Sequence, residues 1–227
     1  MIKVILWDVD GTLLDFKKAE YVAIKKCFEI FNLGECTDEM IGRYSVINRK
    51  YWEKLEMGEI TKQEVLINRF GDFFRTEGIQ TDCANEFNKE YQKQLGETIC
   101  FCDNSYELLN RLKGQVKQYA VTNGTKAAQD RKLQNSGLID IFNGIFISEV
   151  VGIEKPGIGF FDRVWEQIGT YGKDEVMIVG DSLTSDIQGG NNAGIVCCWY
   201  NPKGMKNETN LRIDYEIDDL QKIVEII

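Results

Sequence analysis

Asp8 and Asp10 stand one residue apart and are followed at once by Gly11 and Thr12. The apolar run Val4-Ile5-Leu6-Trp7 before them has the length of a buried strand. Successive strand side chains alternate, so both carboxylates leave the strand on one face with Val9 turned the other way. In an open parallel sheet such strand ends border the ligand crevice. Two acids this close repel, which raises one of their pKa values unless a cation lies between them. The pair therefore asks for a divalent metal, a shared proton, or both.

Other strand-like runs also end in polar residues. Val116 to Val121 leads into Thr122-Asn123-Gly124, and Val176 to Val179 leads into Gly180-Asp181-Ser182, with Asp186 just beyond on a turn or helix start. Lys155 comes from the loop Glu154-Lys155-Pro156. Singly, these read as a turn, a helix cap and a solvated charge. Together, at every strand end that faces one crevice, they suit phosphoryl transfer. An Asp carboxylate can attack phosphorus and split one hard hydrolysis into two steps. Magnesium takes oxygen ligands and keeps several waters, so Asp8, Asp181 and a backbone carbonyl would hold it. The Thr122 hydroxyl and the Asn123 amide can donate to phosphoryl oxygens, Lys155 adds a fixed positive charge, and Asp10 is left as general acid and then general base.

Composition narrows the field in the same direction. The 227 residues contain no histidine, which removes Ser-His and Cys-His catalysis and most transition-metal sites. A formal charge of -9 with no basic stripe excludes a nucleic-acid polymer as the main partner. No apolar span reaches transmembrane length and no signal peptide is recognisable, so no membrane partner and a cytoplasmic location are expected. The seven cysteines are an odd count and read as reduced thiols; Cys100-Phe101-Cys102 lacks the second pair that a zinc site needs.

The elements that must position these residues follow from periodicity. From about 16 to 97 the chain is helical throughout: Ala19, Val22, Ala23, Cys27, Phe28 and Phe31 recur at intervals of three and four, Thr37 or Asp38 starts a second helix, Thr61 to Glu64 fits a capping box, and Thr81 or Asp82 starts a fourth helix. Beyond residue 98 strand and helix alternate, with a fifth strand over 195–200 and a closing helix over 219–226. The expected fold is an α/β doubly wound, Rossmann-like parallel sheet built from residues 1–15 and 98–227, with an all-helical domain inserted at 16–97.

The four motifs Asp8-Val9-Asp10-Gly11-Thr12, Val121-Thr122-Asn123-Gly124, Glu154-Lys155-Pro156 and Gly180-Asp181-Ser182 with Asp186 resemble those of the haloacid dehalogenase superfamily of aspartyl-phosphate phosphohydrolases. Within it the chain is most similar to the bacterial pyrimidine 5′-nucleotidases. The segments from Arg131 through Phe146–Gly152 to Lys155, Ser185–Gly194 with Cys198-Trp199, and Val46-Ile47-Asn48 with Trp52 and Gly58–Thr61 carry that likeness. The resemblance implies Asp8 as nucleophile, Asp10 as acid/base, and Thr122 and Lys155 as phosphate grips. It implies magnesium held by Asp8, the Asp10 carbonyl, Asp181 and Asp186, the last directly or through water. Residues 16–97 become a cap that closes over the site, with Asn48, Arg49 and Trp52 as candidates for base contact. True dehalogenases of the superfamily lack the second acid, so Asp10 favours a phosphatase.

The expected substrate is a small phosphomonoester, a pyrimidine nucleoside monophosphate, acted on by a monomer or weak homodimer. A sugar-phosphate phosphatase or phosphomutase on the same core is the alternative enzyme, and a phosphoacceptor module or a catalytically idle binding protein the non-enzymatic one. Gly157-Ile158-Gly159 departs from relatives, which more often carry Asn or Asp and a proline there, and predicts a looser Lys155 loop.

Overall fold

A computed structural model describes residues 1–227. β1 (Val4–Trp7) opens the chain and is buried along its whole length. Four helices follow, α1 (Phe16–Ile30), α2 (Asp38–Glu56), α3 (Lys62–Thr76) and α4 (Ala84–Glu97). The alternating part then runs α5 (Ser105–Leu112), β2 (Lys117–Thr122), α6 (Lys126–Asn135), β3 (Gly144–Ile147), α7 (Ser148–Val151), α8 (Ile158–Ile168), β4 (Val176–Gly180), α9 (Gln188–Ala193), β5 (Val196–Tyr200) and β6 (Tyr215–Ile217). No helix is long and apolar enough to cross a membrane.

The six strands form one parallel sheet in the order β3-β2-β1-β4-β5-β6. β1 lies inside it, between β2 and β4, because four consecutive apolar residues can be satisfied only where both faces of a strand are covered. The alternation is literal: Ile5 and Trp7 enter one buried cluster with Leu108, Leu109 and Leu112, while Val4 and Leu6 enter the other with Phe160, Phe161 and Val164. Trp7 buries its indole fully and donates from Nε1 to Gln118 Oε1 at 3.2 Å, so the strand's largest side chain leaves no unpaired polar atom.

The four helices pack around a third, separate core of Phe28, Tyr44, Phe70, Phe73, Phe87 and Tyr91, with neighbouring ring centroids 4.9–6.0 Å apart. Each such ring withdrawn from water is worth roughly 2–3 kcal/mol. Thr37 caps α2 by accepting from Met40 N, and Thr61 and Glu64 close a reciprocal capping box on α3. Ala128 of α6 also enters this core, so the helical block is seated on the sheet part through α6.

Three expectations about elements are corrected. A sixth strand, Tyr215–Ile217, pairs with β5 at the sheet edge. The closing segment is a 3-10 helix, Leu220–Glu225, rather than an α-helix, and α4 begins at Ala84 after an N-cap at Cys83 that makes no side-chain cap. All seven cysteines are free thiols.

Candidate active site

The carboxyl ends of β1, β2 and β4 converge, and the residues that follow them meet in one pocket of about 160 Å³. Asp8 follows β1 directly and is buried. Asp181 follows β4, and Asp186 lies in a π-helical turn, Leu183–Ile187, that folds back beneath it. Two glycines make the crowding possible. Gly11 has φ +97°, and a Cβ there would fall 2.6 Å from Asp181 Oδ2; a Cβ on Gly180 would fall 2.2 Å from the Asp186 carboxyl.

Lys155 is almost fully buried, and its Nζ donates to Asp186 Oδ1 at 2.7 Å, Val121 O at 2.8 Å and Asp8 Oδ1 at 2.9 Å. All three donor positions of the ammonium are thus used. The loop carrying it is not loose despite Gly157-Ile158-Gly159. The Asn123 side chain accepts from Lys155 N and donates to Lys155 O, both at 2.8 Å, and its Nδ2 also lies 3.3 Å from Ser185 Oγ. The Asn123 side chain, expected to donate to phosphate, directs its Nδ2 hydrogens to Lys155 O and Ser185 Oγ in this structure. The Thr122 hydroxyl accepts from Gly124 N at 3.0 Å, which leaves its own hydrogen to donate into the pocket.

The electrostatics are unbalanced. Asp8, Asp181 and Asp186 each offer an oxygen within 4.8 Å of the others, and one ammonium faces the three acids. Burial pushes the Asp8 carboxyl up to about 7, with Lys155 pulling it down and Asp186 pushing it further up. Asp181 is held well above the usual carboxylate range by burial first, and then by Asp8 and Asp186. Burial alone would lower the Lys155 pKa, but Asp186 and Asp8 outweigh it, the net shift is upward, and the ammonium stays charged. Asp8 Oδ2 is buried with no hydrogen-bond partner, an arrangement that costs about 1–3 kcal/mol or more for a charged group. An orphaned carboxylate oxygen beside two further acids is what a hard divalent cation needs, and an all-oxygen donor set fits magnesium. The residues present therefore fit the ion, and Asp8, Asp181 and Asp186 are the ones that would hold it.

Opposite this floor the pocket is closed by Phe16 of α1 and by Trp52 and Glu56 of α2. Of the three helical residues expected near a base, only Trp52 is there. Arg49 is exposed and lies 3.7 Å from Glu53 on its own helix. Asn48 is buried in a polar network: it donates to Glu20 Oε1 at 2.9 Å and accepts from Arg69 at 2.8 Å and from Trp52 Nε1 at 3.1 Å. One of these bonds ties the Trp52 indole N–H to the network. Replacing Asn48 with Ala strands the Arg69 guanidinium, the Trp52 N–H and one Glu20 oxygen together, so urea unfolding should show a loss of about 2–3 kcal/mol.

Four residues of the site gave no signal in the sequence. Glu56 bonds Thr184 across the pocket, and burial pushes its carboxyl up to about 7. Phe16 lines the pocket, and Gln129 and Lys132 of α6 hold Asp10. A Gln and a Lys three residues apart just after Thr122-Asn123-Gly124 share one helix face, but a polar face on a helix ordinarily points to solvent.

The family model for haloacid dehalogenase-like hydrolases matches residues 5–200, a stretch that contains the carboxyl ends of β1, β2 and β4. The chain belongs to this family. It is 36% identical over 225 residues to the HAD-hydrolase YfnB of Bacillus subtilis, covering 99% of this chain and 95% of that protein. It is 35% identical over 226 residues to the pyrimidine 5′-nucleotidase PynA of Streptococcus pneumoniae, covering 99% and 94%. The crystal structure of YfnB bound to magnesium superimposes with a TM-score of 0.93, covering 99% of this chain and 98% of that one. The protein is thus a phosphatase of the haloacid dehalogenase family, with a buried acidic trio at the ends of β1 and β4.

Proposed function

We propose that this phosphatase is a magnesium-dependent 5′-nucleotidase that hydrolyses pyrimidine nucleoside monophosphates through an aspartyl-phosphate on Asp8. The observation that carries the reading is Asp8 itself, with one oxygen fixed by Lys155 and the other unpaired, on the pocket wall that faces Trp52 and Phe16. An Asp8 oxygen attacks phosphorus, the ester P–O bond breaks, and Asp10 gives its proton to the departing 5′-oxygen. A water then attacks the phosphorus, Asp10 takes the water's proton, and the Asp8–phosphorus bond breaks to release phosphate and restore Asp8. The Thr122 hydroxyl donates to a phosphoryl oxygen, and the Lys155 ammonium, held 2.9 Å from the Asp8 carboxylate, offsets the charge on the phosphoryl group by its proximity through both steps. A magnesium ion bound by Asp8, Asp181 and Asp186, with the Asp10 carbonyl, would offset the charge of the phosphoryl group.

In this reading residues 16–97 are the cap, and they choose the leaving group. A flat indole and a phenyl ring above a phosphate site suit a nucleobase, and the one ionisable group they bring into the pocket is the acid Glu56. A second phosphate or a carboxylate on the leaving group finds no cation there. Relatives named as pyrimidine 5′-nucleotidases support the choice of base.

The test is phosphate release with magnesium from dUMP, dTMP, UMP, AMP, ribose 5-phosphate and p-nitrophenyl phosphate. The pyrimidine monophosphates should lead in kcat/KM. Trp52→Ala should lower kcat/KM for dTMP by about 10–100-fold, the worth of one stacked base, and change ribose 5-phosphate hydrolysis little. Equal losses on both substrates would remove base stacking from the account, and a lead for sugar phosphates would overturn the nucleotide assignment.

A further inference from the structure

We infer that Lys132 and Gln129 are positioning residues for the acid/base Asp10, and that α6, rather than the turn after β1, sets where that carboxylate points. The inference rests on the role given to Asp10 above. Asp10 lies past the end of β1 in a turn that gives it only a backbone bridge to Leu14, so nothing local fixes its side chain. Both of its oxygens are held from α6. Lys132 Nζ donates to Asp10 Oδ1, and Gln129 Nε2 donates to Asp10 Oδ2 at 2.6 Å.

The two donors are buried while the carboxylate they hold is the more open group. Lys132 is 1% exposed and Gln129 is not exposed at all, whereas the Asp10 side chain is 21% exposed toward the pocket. Burying an ammonium is costly unless it is paired, and Asp10 is the one carboxylate in ion-pair contact with Lys132. Phe16 closes over the same ammonium, with its ring centroid 5.3 Å from Nζ. Gln129 uses one end of its amide on Asp10 and leaves Oε1 buried and unpaired, so Asp10 is the one hydrogen-bond partner of its side chain. Residues 129 and 132 are one helical turn apart on a ten-residue helix that starts from a Thr125 cap. The helix is thus registered so that two buried polar side chains meet one carboxylate, 119 and 122 residues away in sequence.

For the reaction this means that Asp10 stays oriented between its two proton transfers. It must give a proton to the leaving oxygen in the first step and take one from water in the second. A carboxylate free to rotate into solvent would lose both. The nucleophile has its own cation in Lys155, so the two carboxylates are served by separate ammonium groups from separate elements.

The experiment compares wild type with Lys132→Met, which keeps the stem and removes the charge, with Lys132→Arg and with Gln129→Ala, all loaded with magnesium. On dTMP, whose alkoxide must be protonated as it leaves, Lys132→Met should lose about 100-fold in kcat, the usual worth of a general acid. KM should stay within about threefold. On p-nitrophenyl phosphate, whose leaving group needs no proton, the same variant should release one equivalent of p-nitrophenolate per enzyme at the wild-type rate. It should then turn over slowly, because water attack still needs the base. Lys132→Arg should recover most of the lost kcat, and Gln129→Ala should show the same burst with a smaller loss of about tenfold. A Lys132→Met enzyme that matches wild type on dTMP overturns the inference, and so does one that loses burst and steady state equally on both substrates. Wild type failing on every phosphomonoester would instead sink the phosphatase chemistry assigned to Asp10, and this inference with it.

Discussion

Asp8→Asn should leave the protein folded and lower kcat on any phosphomonoester by at least about 10⁴-fold, since an amide cannot displace the leaving group and no neighbour replaces it. The neighbours are accounted for one by one. Asp186 is paired with Lys155 and accepts from Ser182 N, Asp10 is held by Lys132 and Gln129, and Asp181 lies at the end of a different strand. The fold survives because the asparagine side chain keeps an oxygen for Lys155 Nζ and occupies the same volume as the aspartate. Replacing one of three clustered acids also removes repulsion from the buried site. Two measurements check this. Steady-state kinetics reads the loss of turnover, and intact-mass analysis after acid quench reads a phosphoryl adduct in the wild type and none in the variant. Residual activity within about 100-fold of wild type would exclude the covalent route, because general-base attack by water would then suffice.

The sheet and its polar strand ends were legible because short-range patterns produce them. Val4–Trp7 is apolar throughout, is buried throughout, and hands Asp8 to the crevice; Val176–Gly180 does the same for Asp181. β6 was not legible. It is three residues long at a sheet edge, with Ile217 its one buried side chain, and its pairing with β5 is a tertiary event that no local run of residues encodes. The 3-10 closing segment has the apolar spacing of an α-helix, and a capping bond from Gln221 N to Asp219 does not distinguish the two.

At the site, the polar side chains that the strand ends bring into one pocket could be read off, but the groups that hold them could not. Asn123 reads as a donor to phosphate, and its side chain brackets the Lys155 backbone; Asn48 reads as a base contact, and its side chain accepts from Trp52 Nε1. A buried Lys132 looks in sequence like any charged residue on a helix. Its placement is set by a partner 122 residues away.

Chelation and pH should act on this protein together. In the metal-free state burial raises the Asp8 carboxyl to about 7 and holds Asp181 well above 3.8, the ordinary value for both. A raised carboxylate pKa means that the native state binds more protons than the unfolded chain between about pH 4 and 7, so stability falls as pH rises through that window. For Asp8 alone the three-unit window corresponds to at most about 4 kcal/mol, less where water reaches the site. Lys155 does not cancel the effect, because its own pKa is raised and its charge is constant across the range. Magnesium works in the opposite direction. Bound by the ionised trio of the native state, it would at about 100 times its Kd add roughly 2.7 kcal/mol, or about 5–10 °C in Tm for a chain of this size. Thermal unfolding in EDTA should therefore show a Tm that declines from pH 5 to pH 8, while in magnesium the decline is reduced and the gap between the curves widens with pH. Asp181→Asn should make the EDTA decline shallower by removing its own share while Asp8 keeps the rest, erase the response to magnesium and abolish turnover. If magnesium left the Tm unchanged at pH 8, the three carboxylates would be a repulsive cluster and not a metal site, and the unpaired oxygen of Asp8 would need another partner.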